Sequence, residues 1–172
     1  MTLKQTIEKA GKTIKAAVTP APEGDILAAL HEDHDAIQAL AKKLVDSDSA
    51  AQRRKLLAEL KATLLPHAKA EEKIVYDRIA ALKGEKNKVD AHEGYFEHEA
   101  ADRMLANLEK IERMNSAEFT AAAKVLKELL QHHIEEEERD IWSDVRENFS
   151  NQKRSKMKDE FEAAKKRVRV PH

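Results

Sequence analysis

The sequence contains no cysteine in its 172 residues. This absence excludes a disulfide framework, a thiolate metal site and a cysteine nucleophile. It agrees with a reducing compartment, and we expect a cytoplasmic protein. At this length the chain suits one domain that buries a core without disulfide staples.

Long apolar runs and a charge excess of one sign are also missing. Lys and Arg number 31 against 32 Asp and Glu, for a net charge of −1, so nothing predicts a nucleic acid partner. No apolar run approaches the ~20 residues of a membrane-spanning helix. The N-terminus also lacks the apolar region of a signal peptide. We therefore expect neither a membrane span nor export.

Glycine and proline are scarce, with four of each, and strong helix formers such as Ala, Leu, Glu and Lys fill the chain. No segment alternates with a period of two, so we predict an all-α protein without a sheet. The apolar spacing predicts four long helices, over about residues 25–45, 50–82, 89–113 and 115–148. A capping box of Asn115 and Glu118 is expected to open the fourth helix.

Short connections between these helices favour an up-down-up-down four-helix bundle, because each helix has to bury one apolar stripe. Short amphipathic helices are predicted at both termini. The sequence thus divides into an N-terminal amphipathic helix with a proline-containing linker (residues 1–24), the bundle (25–149) and a C-terminal helical extension (150–172). The terminal apolar stripes offer surfaces for a protein partner or a homo-oligomer.

Two of the long helices carry polar residues within their apolar stripes. In the second helix, His67 and Glu71 continue the stripe of Leu64 at helical spacing. The fourth helix repeats this arrangement with His133 and Glu137. A spacing of four residues places each glutamate one turn after its histidine on the same face of the helix.

An internal repeat relates the two halves of the chain. Aligning His67 with His133 also aligns Glu71 with Glu137 and Tyr76 with Trp142, and a second alignment pairs the stripe histidines of the first and third helices. Each half therefore reads as a helix with one stripe histidine, followed by a helix with a histidine and a glutamate. Six polar side chains are expected to meet on a pseudo-twofold axis: His34, His67, Glu71, His98, His133 and Glu137.

Buried ionised carboxylates cost several kcal/mol each unless a positive charge compensates them. No Lys or Arg occupies these stripes at the same level, so the compensating charge has to come from elsewhere. Four imidazoles and two carboxylates suit two metal cations. Imidazole binds Fe, Zn, Cu and Ni, and carboxylates inside four-helix bundles are typical of di-iron and di-manganese proteins. Two imidazoles per metal favour a site whose iron binds a small ligand over a site that stores iron as an oxide.

The motifs EDH at 32–34, LLPHAKAEE at 64–72, EH at 97–98 and HHIEEEE at 132–138 resemble the hemerythrin-like (HHE cation-binding) domain family. The resemblance covers the bundle from about Asp25 to Asn148. It implies two non-heme iron ions, bridged by carboxylates and by an oxo or hydroxo group, which bind O2. It also implies that the four stripe histidines are terminal ligands and that Glu71 and Glu137 bridge the irons.

The resemblance includes one departure. Animal hemerythrins carry a His-x-x-x-His motif in the third helix, but the residue four before His98 is Gly94. Four histidines with two glutamates, as in many bacterial relatives, therefore fit better than five. The sequence supports two interpretations of Gly94 equally. Either it leaves room for water or an exogenous ligand, or it only allows helices to pack closely.

Two further residues are candidates for the surroundings of the metals. His31 lies one turn before His34, where it is either hydrogen-bonded to a ligand or a partly exposed surface histidine. Tyr95 lies three residues before His98 and is placed to donate a hydrogen bond to a bound ligand, although plain core packing explains it as well. No predicted ligand lies in the first ~20 residues or after about residue 150, so both ends are expected to be dispensable for metal loading.

Three function classes remain open on the sequence. The first is carriage or sensing of O2 or another small diatomic ligand. The second is an activity on NO or peroxide, or iron–sulfur repair; repair members of the family typically carry a Cys-containing module, and this chain has no cysteine. The third is an interaction protein that metal ions only stabilise. Binding is favoured over catalysis.

Overall fold

The structure is a computed structural model that describes residues 22–171. Within that range every regular element is helical, and none of them is a strand. The helices are α1 (Ile26–Asp46), α2 (Ala50–Glu71), α3 (Asp77–Ala80), α4 (Glu85–Lys110), α5 (Ala117–Arg139), α6 (Ile141–Asn148) and α7 (Asn151–Lys165), and a π-helical segment (Glu72–Tyr76) joins α2 to α3. The all-α prediction is therefore confirmed for the described residues.

Polar side chains cap three of the four long helices at their N-termini, whereas α4 begins without a side-chain cap. The carboxylate of Asp25 accepts from the amide of Leu27 at 3.0 Å and opens α1. At the start of α5 the hydroxyl of Ser116 accepts from the amide of Phe119 at 3.1 Å. The predicted cap at Asn115 was one residue early, because Ser116 has the extended backbone that a capping residue needs.

The second and fourth predicted helices are both interrupted. The π-helical segment follows Glu71 directly, and the backbone at Asp140 separates α5 from α6 three residues after Glu137. A π-helical turn inserts an extra residue, so it rotates the side chains that follow it relative to a regular helix. Here Val75 and Tyr76 are both fully buried. The sequence predicted unbroken helices at these points, because apolar spacing does not reveal a single inserted residue.

The four long helices form a closed ring in which α1 packs against α2 and α5, and α4 packs against the same two helices. Their apolar side chains form two separate clusters. One contains Leu44, Leu60 and Leu126, and the other contains Ile26 and Val75.

In α1, α2 and α4 the stripe histidine lies between the residues of one cluster and those of the other. In α5, His133 lies near the end of the first cluster, and the second cluster resumes at Ile141 in α6. The apolar core therefore encloses a polar layer.

The C-terminal piece is the helix α7, which packs against α1 and α2. Its Met157 and Phe161 are fully buried in the cluster with Ile26, and Arg154 Nε donates to the carboxylate of Asp25 at 2.7 Å. The predicted N-terminal helix lies outside the described residues. Between residues 22 and 171, no helix is both long enough and apolar enough to cross a membrane.

Candidate metal centre

The structure brings the six stripe residues of the predicted site together at the centre of the ring. All are buried, with exposed fractions from 0 % for Glu71 to 6 % for His133. Each comes from the part of its helix where one apolar cluster gives way to the other. These buried side chains are His34, His67, Glu71, His98, His133 and Glu137.

The imidazoles form two pairs, one on each side of the layer. The ring centroids of His34 and His67 are 5.0 Å apart, and those of His98 and His133 are 4.8 Å apart. Each pair combines one histidine from α1 or α4 with one from α2 or α5. Together with Glu71, each pair supplies three donor atoms that lie within 4.8 Å of one another.

Each glutamate lies between the two imidazole pairs. Glu71 Oε2 is 3.3 Å from Nε2 of His67, on its own helix, and 3.5 Å from Nε2 of His98, on the other side. Glu137 Oε2 is 3.6 Å from Nε2 of His133 and 3.4 Å from Nε2 of His34. Both carboxylates therefore span the pairs, as ligands shared by two metal ions would.

A second carboxylate holds the outer nitrogen of each histidine. The Nδ1 of His67 bonds to Asp33 at 3.1 Å, and the Nδ1 of His133 bonds to Glu97 at 2.6 Å. The other two Nδ1 atoms make the same contact, that of His34 with Glu138 at 3.0 Å and that of His98 with Glu72 at 3.2 Å. These bonds orient all four Nε2 atoms inward, as in carboxylate–histidine–metal triads.

Sequence reasoning missed these four outer carboxylates. The signal was present, because each one is the chain neighbour of a predicted ligand: Asp33, Glu72, Glu97 and Glu138. The run that contains Glu138 was interpreted as a solvated face with Glu137 as its exception. Adjacent residues on a helix point about 100° apart, so one of them faces the site and the next reaches a histidine on a neighbouring helix.

Several donor atoms of the site lack hydrogen-bond partners, as expected of atoms that bind a metal ion. Nε2 of His34, Oε1 of Glu71 and both carboxylate oxygens of Glu137 are buried and accept or donate no hydrogen bond within residues 22–171. Native proteins rarely leave buried polar atoms without a partner. Four imidazole nitrogens and two shared carboxylates match the preferences of iron and related transition metals.

Protons on His34 and His98 offset part of the negative charge of the site. Burial opposes a charge on His34, but the nearby carboxylates of Glu137 and Glu138 outweigh that effect and raise the pKa of His34 to about 10. Burial likewise opposes a charge on His98, and Glu71 raises the pKa of His98 to about 9. Burial and the nearby carboxylate of Glu71 raise the pKa of Glu137 to about 7. A metal cation that binds here has to replace protons.

The space beside Gly94 is filled, which corrects the expectation of an open position there. A Cβ atom on Gly94 would lie 2.6 Å from the ring of Tyr76. That ring is fully buried, stacks on His98 with centroids 5.4 Å apart, and directs its hydroxyl toward Oε2 of Glu71 at 3.5 Å. Of the two interpretations of Gly94, the structure favours close packing.

Tyr95 does not direct its hydroxyl at the site. That hydroxyl donates to the carboxylate of Asp77 at 2.5 Å, and the ring of Tyr76 lies 5.6 Å from the Tyr95 ring. The predicted hydrogen bond from Tyr95 to a ligand is therefore absent from this arrangement. Register alone suggested it, but the π-helical segment turns Tyr76 inward to line the site with His98.

His31 contacts the site indirectly, through Glu138. Its Nδ1 bonds to Oε1 of Glu138 at 3.0 Å, the same oxygen that bonds to His34, while its side chain remains 55 % exposed. Trp142, the repeat counterpart of Tyr76, stacks on His34 with ring centroids 6.1 Å apart. Both aromatic residues therefore cover the histidine of an adjacent helix.

The chain is similar to known proteins. The family model of the hemerythrin HHE cation binding domain matches residues 25–142. Similar proteins include a DNA nickase of Nostoc sp., 26 % identical over 79 % of this chain and 38 % of its own length. An uncharacterized hemerythrin-like protein of Schizosaccharomyces pombe is 26 % identical over 81 % of this chain and 68 % of its own. The chain thus spans well under half of the Nostoc protein. No solved structure gives a significant match.

Proposed function

Because the chain belongs to the hemerythrin HHE cation-binding family, we propose that it is a non-heme di-iron protein that binds O2 or a related small ligand. In this proposal an up-down-up-down four-helix bundle holds the two irons. When bound, the metal ions would supply redox chemistry that ordinary side chains do not provide, and the residues of the bundle would hold and orient them.

One observation carries this proposal: Glu71 and Glu137 each lie between the two imidazole pairs. A site for one metal would need only one pair and one carboxylate, as in common zinc sites. His34 and His67 would hold one ion, His98 and His133 the other, and the glutamates both. Four outer carboxylates keep the Nε2 atoms directed inward and increase the basicity of the rings.

The surroundings favour reversible binding over hydrolysis or metal exchange. Buried Leu105, Leu126 and Leu130 belong to the apolar cluster on one side of the layer, and buried Ile141 belongs to the cluster on the other. Outside the crevice that reaches His133, these apolar side chains exclude water, and dry surroundings slow proton delivery to a bound oxidant. The ligand position is proposed beside His133 rather than at Gly94, because Tyr76 fills the space at Gly94.

The test begins with metal content. Protein purified from iron-replete cells is expected to hold about two irons per chain, and one zinc per chain as the main metal contradicts the proposal. The reduced protein is then mixed with O2 without other reagents. We expect a visible charge-transfer band that disappears when O2 is removed and returns when it is added again.

The alternatives give different results in the same experiment. Immediate and irreversible oxidation, with catalytic loss of added peroxide or NO, favours an enzyme. Two tightly held metals without any spectral response to O2, NO or azide favour a protein that metal only stabilises. Both alternatives accept the same two metals, so metal content alone does not separate them.

We do not propose nickase activity on the strength of the Nostoc relative. This chain corresponds to 38 % of that protein, and its own net charge is −1. Proteins that bind the phosphate backbone of a nucleic acid do so mainly with Lys and Arg. The opening nearest the metal centre is instead lined by carboxylates, among them Glu93 and Glu136.

A further inference from the structure

A narrow crevice leads from the surface to the metal centre between α4 and the junction of α5 with α6. Its volume is about 40 Å³, and its floor includes His133 and Glu137 of the site. That volume accommodates an ion or one or two water molecules, but not an organic metabolite. The crevice is therefore a route for a very small species.

Five carboxylates line the crevice outside the metal centre, and no Lys or Arg lines it. The carboxylates are Asp90, Glu93, Glu97, Glu136 and Asp140. Two cations pair at its edges, Lys86 with Asp90 and Arg139 with Glu136 and Asp140. Glu93 makes no ion pair or hydrogen bond within residues 22–171. The negative charge of the crevice therefore exceeds the positive charge around it.

The buried end of the crevice also attracts a cation. Glu137 is 3 % exposed, lines the crevice, and neither of its carboxylate oxygens accepts a hydrogen bond from the described residues. A buried carboxylate without a hydrogen bond is costly unless a positive charge reaches it. The crevice thus connects acidic surface residues with an unpartnered acceptor inside.

A cluster of three possible metal donors lies on the outer side of Glu97. Donor atoms of Glu97, His132 and Glu136 lie within 4.8 Å of one another, and His132 Nε2 is 3.2 Å from Glu136. These side chains are at least partly exposed. Glu97 also bonds to His133 Nδ1 at 2.6 Å. The side chain of Glu97 therefore connects this outer cluster directly to a histidine of the metal centre.

From this arrangement we propose that the acidic crevice is the entry route for ferrous iron, with Glu97, His132 and Glu136 as the point of first capture. The proposal rests on the proposed di-iron function. Each hydrated cation is drawn to the outer cluster, loses water there and passes along the carboxylates to Glu137 and His133. Field lines focused in such a cleft raise association rates by 10- to 1,000-fold. O2 is neutral and gains no such advantage.

The fluorescence of Trp142 reports iron uptake at the metal centre. Trp142 is the only tryptophan of the chain, and it stacks on His34 at 6.1 Å, so a paramagnetic ion at the centre is expected to quench its fluorescence. Metal-free protein is mixed anaerobically with Fe(II) in a stopped-flow instrument at several salt concentrations. We expect fast quenching in the wild type that slows as salt rises, because salt screens exposed charges.

The decisive comparison is between two double variants of equal charge change. Glu93→Gln/Glu136→Gln removes charges from the crevice, whereas Glu99→Gln/Glu135→Gln removes charges from exposed positions outside it. We expect the crevice variant to load Fe(II) about 10-fold more slowly, with the same final iron content. The control variant should load at nearly the wild-type rate. Once loaded, all three proteins should react with O2 at equal rates.

Two results separate the possible failures. If the wild type takes up two irons and both variants load as fast as it does, the crevice is not the route, and the di-iron proposal stands. If the wild type does not take up two irons, the proposed function itself fails. A crevice variant that does not fold is replaced by the single change Glu93→Gln, since that side chain is exposed and makes no ion pair.

Discussion

Glu71 and Glu137 differ from every other carboxylate between residues 22 and 171, because each lies between two imidazole pairs. The outer carboxylates contact one histidine each, from the side away from the centre. In the proposed di-iron site, this difference separates residues that would hold both metals from residues that would only orient a ligand. It also makes the role of individual side chains testable by substitution.

Removing a shared carboxylate should abolish the paired site. In Glu71→Ala or Glu137→Ala, two cations would remain close together without the negative charge that both share, and their repulsion favours loss of at least one. His31→Ala should keep both metals, because His31 only touches the outer carboxylate Glu138. Metal analysis after gel filtration checks this. Iron loss in His31→Ala as complete as in His67→Ala would contradict the assigned ligands.

Gly94→Ala tests whether Tyr76 fills the space beside His98. In an open helix this change stabilises a protein by about 1 kcal/mol. Here the new methyl group would lie 2.6 Å from a fully buried ring, and overpacking costs about 1–3 kcal/mol. We therefore expect a lower midpoint in urea unfolding.

The control for Gly94→Ala is the same change in a Tyr76→Leu background. The smaller side chain removes the clash, so Gly94→Ala should there become neutral or stabilising. A stabilising effect in the wild-type background would mean that Tyr76 moves away easily. The space beside His98 would then be open to a ligand after all.

Metal affinity should rise with pH. The pKa of His34 is raised to about 10 and that of His98 to about 9, so at neutral pH both rings carry protons that a metal has to displace. The apparent affinity for Fe(II) should therefore increase about 100-fold per pH unit between pH 7 and 9, tenfold for each proton released. Calorimetry in buffers of different ionisation enthalpy counts these protons. A flat affinity over this range would contradict the prediction.

The same raised pKa values predict how the metal-free protein responds to alkali. A histidine with a raised pKa in the folded state contributes stability that is fully present below its ordinary pKa. That stability is lost as pH rises through the raised value. The metal-free protein should thus lose stability progressively as the pH rises from about 6.5, the ordinary histidine pKa, to about 10, whereas the metal-loaded protein should not.

At the scale of elements, α7 contacts residues of the metal centre. The ammonium group of Lys165 contacts both carboxylate oxygens of Asp33, at 3.0 and 2.8 Å, and Asp33 holds His67. The ring of Phe161 lies 5.9 Å from the ring of His67. The sequence predicted that residues after about 150 are dispensable for metal loading, because none is a ligand. The contacts of α7 oppose that prediction.

Lys165→Met should weaken iron binding about 10-fold, the lower end of the usual effect of a residue behind a metal ligand. The loss should fall mainly on the ion held by His34 and His67. Lys166→Met, on the exposed side of the same helix end, serves as the control. Competition with a chromophoric chelator measures both. Equal affinity in the two variants would restore the view that α7 is dispensable for the metals.

At the scale of the whole molecule, the two apolar clusters are separated by a layer of six ionisable side chains. We expect the layer to lower the stability of the metal-free protein and to raise that of the metal-loaded protein. Ligands that bind only the folded state stabilise it by about 4 kcal/mol at 1,000 times the dissociation constant. For a chain of this size that corresponds to ~10 °C in melting temperature.

Iron removal with a chelator should therefore lower the melting temperature by ~10 °C, followed by circular dichroism. Refilling with Fe(II) should restore it. Glu137→Ala provides the control, since a chain without a paired site should show little difference between the two states. An unchanged melting temperature in the wild type would mean that the metals contribute nothing to the fold.

The fold and the inner ligands were predictable because both depend on local periodicity. A helix that needs only a core would not place His67 and Glu71 in its apolar stripe, and the repeat with His133 and Glu137 makes the pattern specific. The structure buries all of these residues together. Whether they hold iron stays a prediction until metal is measured.

The remaining features depended on contacts between distant segments, which periodicity does not record. A single inserted residue at the π-helical segment turned Tyr76 into the space beside Gly94, and Tyr95 was left to bond with Asp77. The sequence by itself determined which helix face carries the ligands, because side-chain direction repeats every 3.6 residues. Only the tertiary structure decided what surrounds them, including Lys165 behind His67 and the acidic crevice at Glu93, because those groups meet across helices whose relative positions are set by packing.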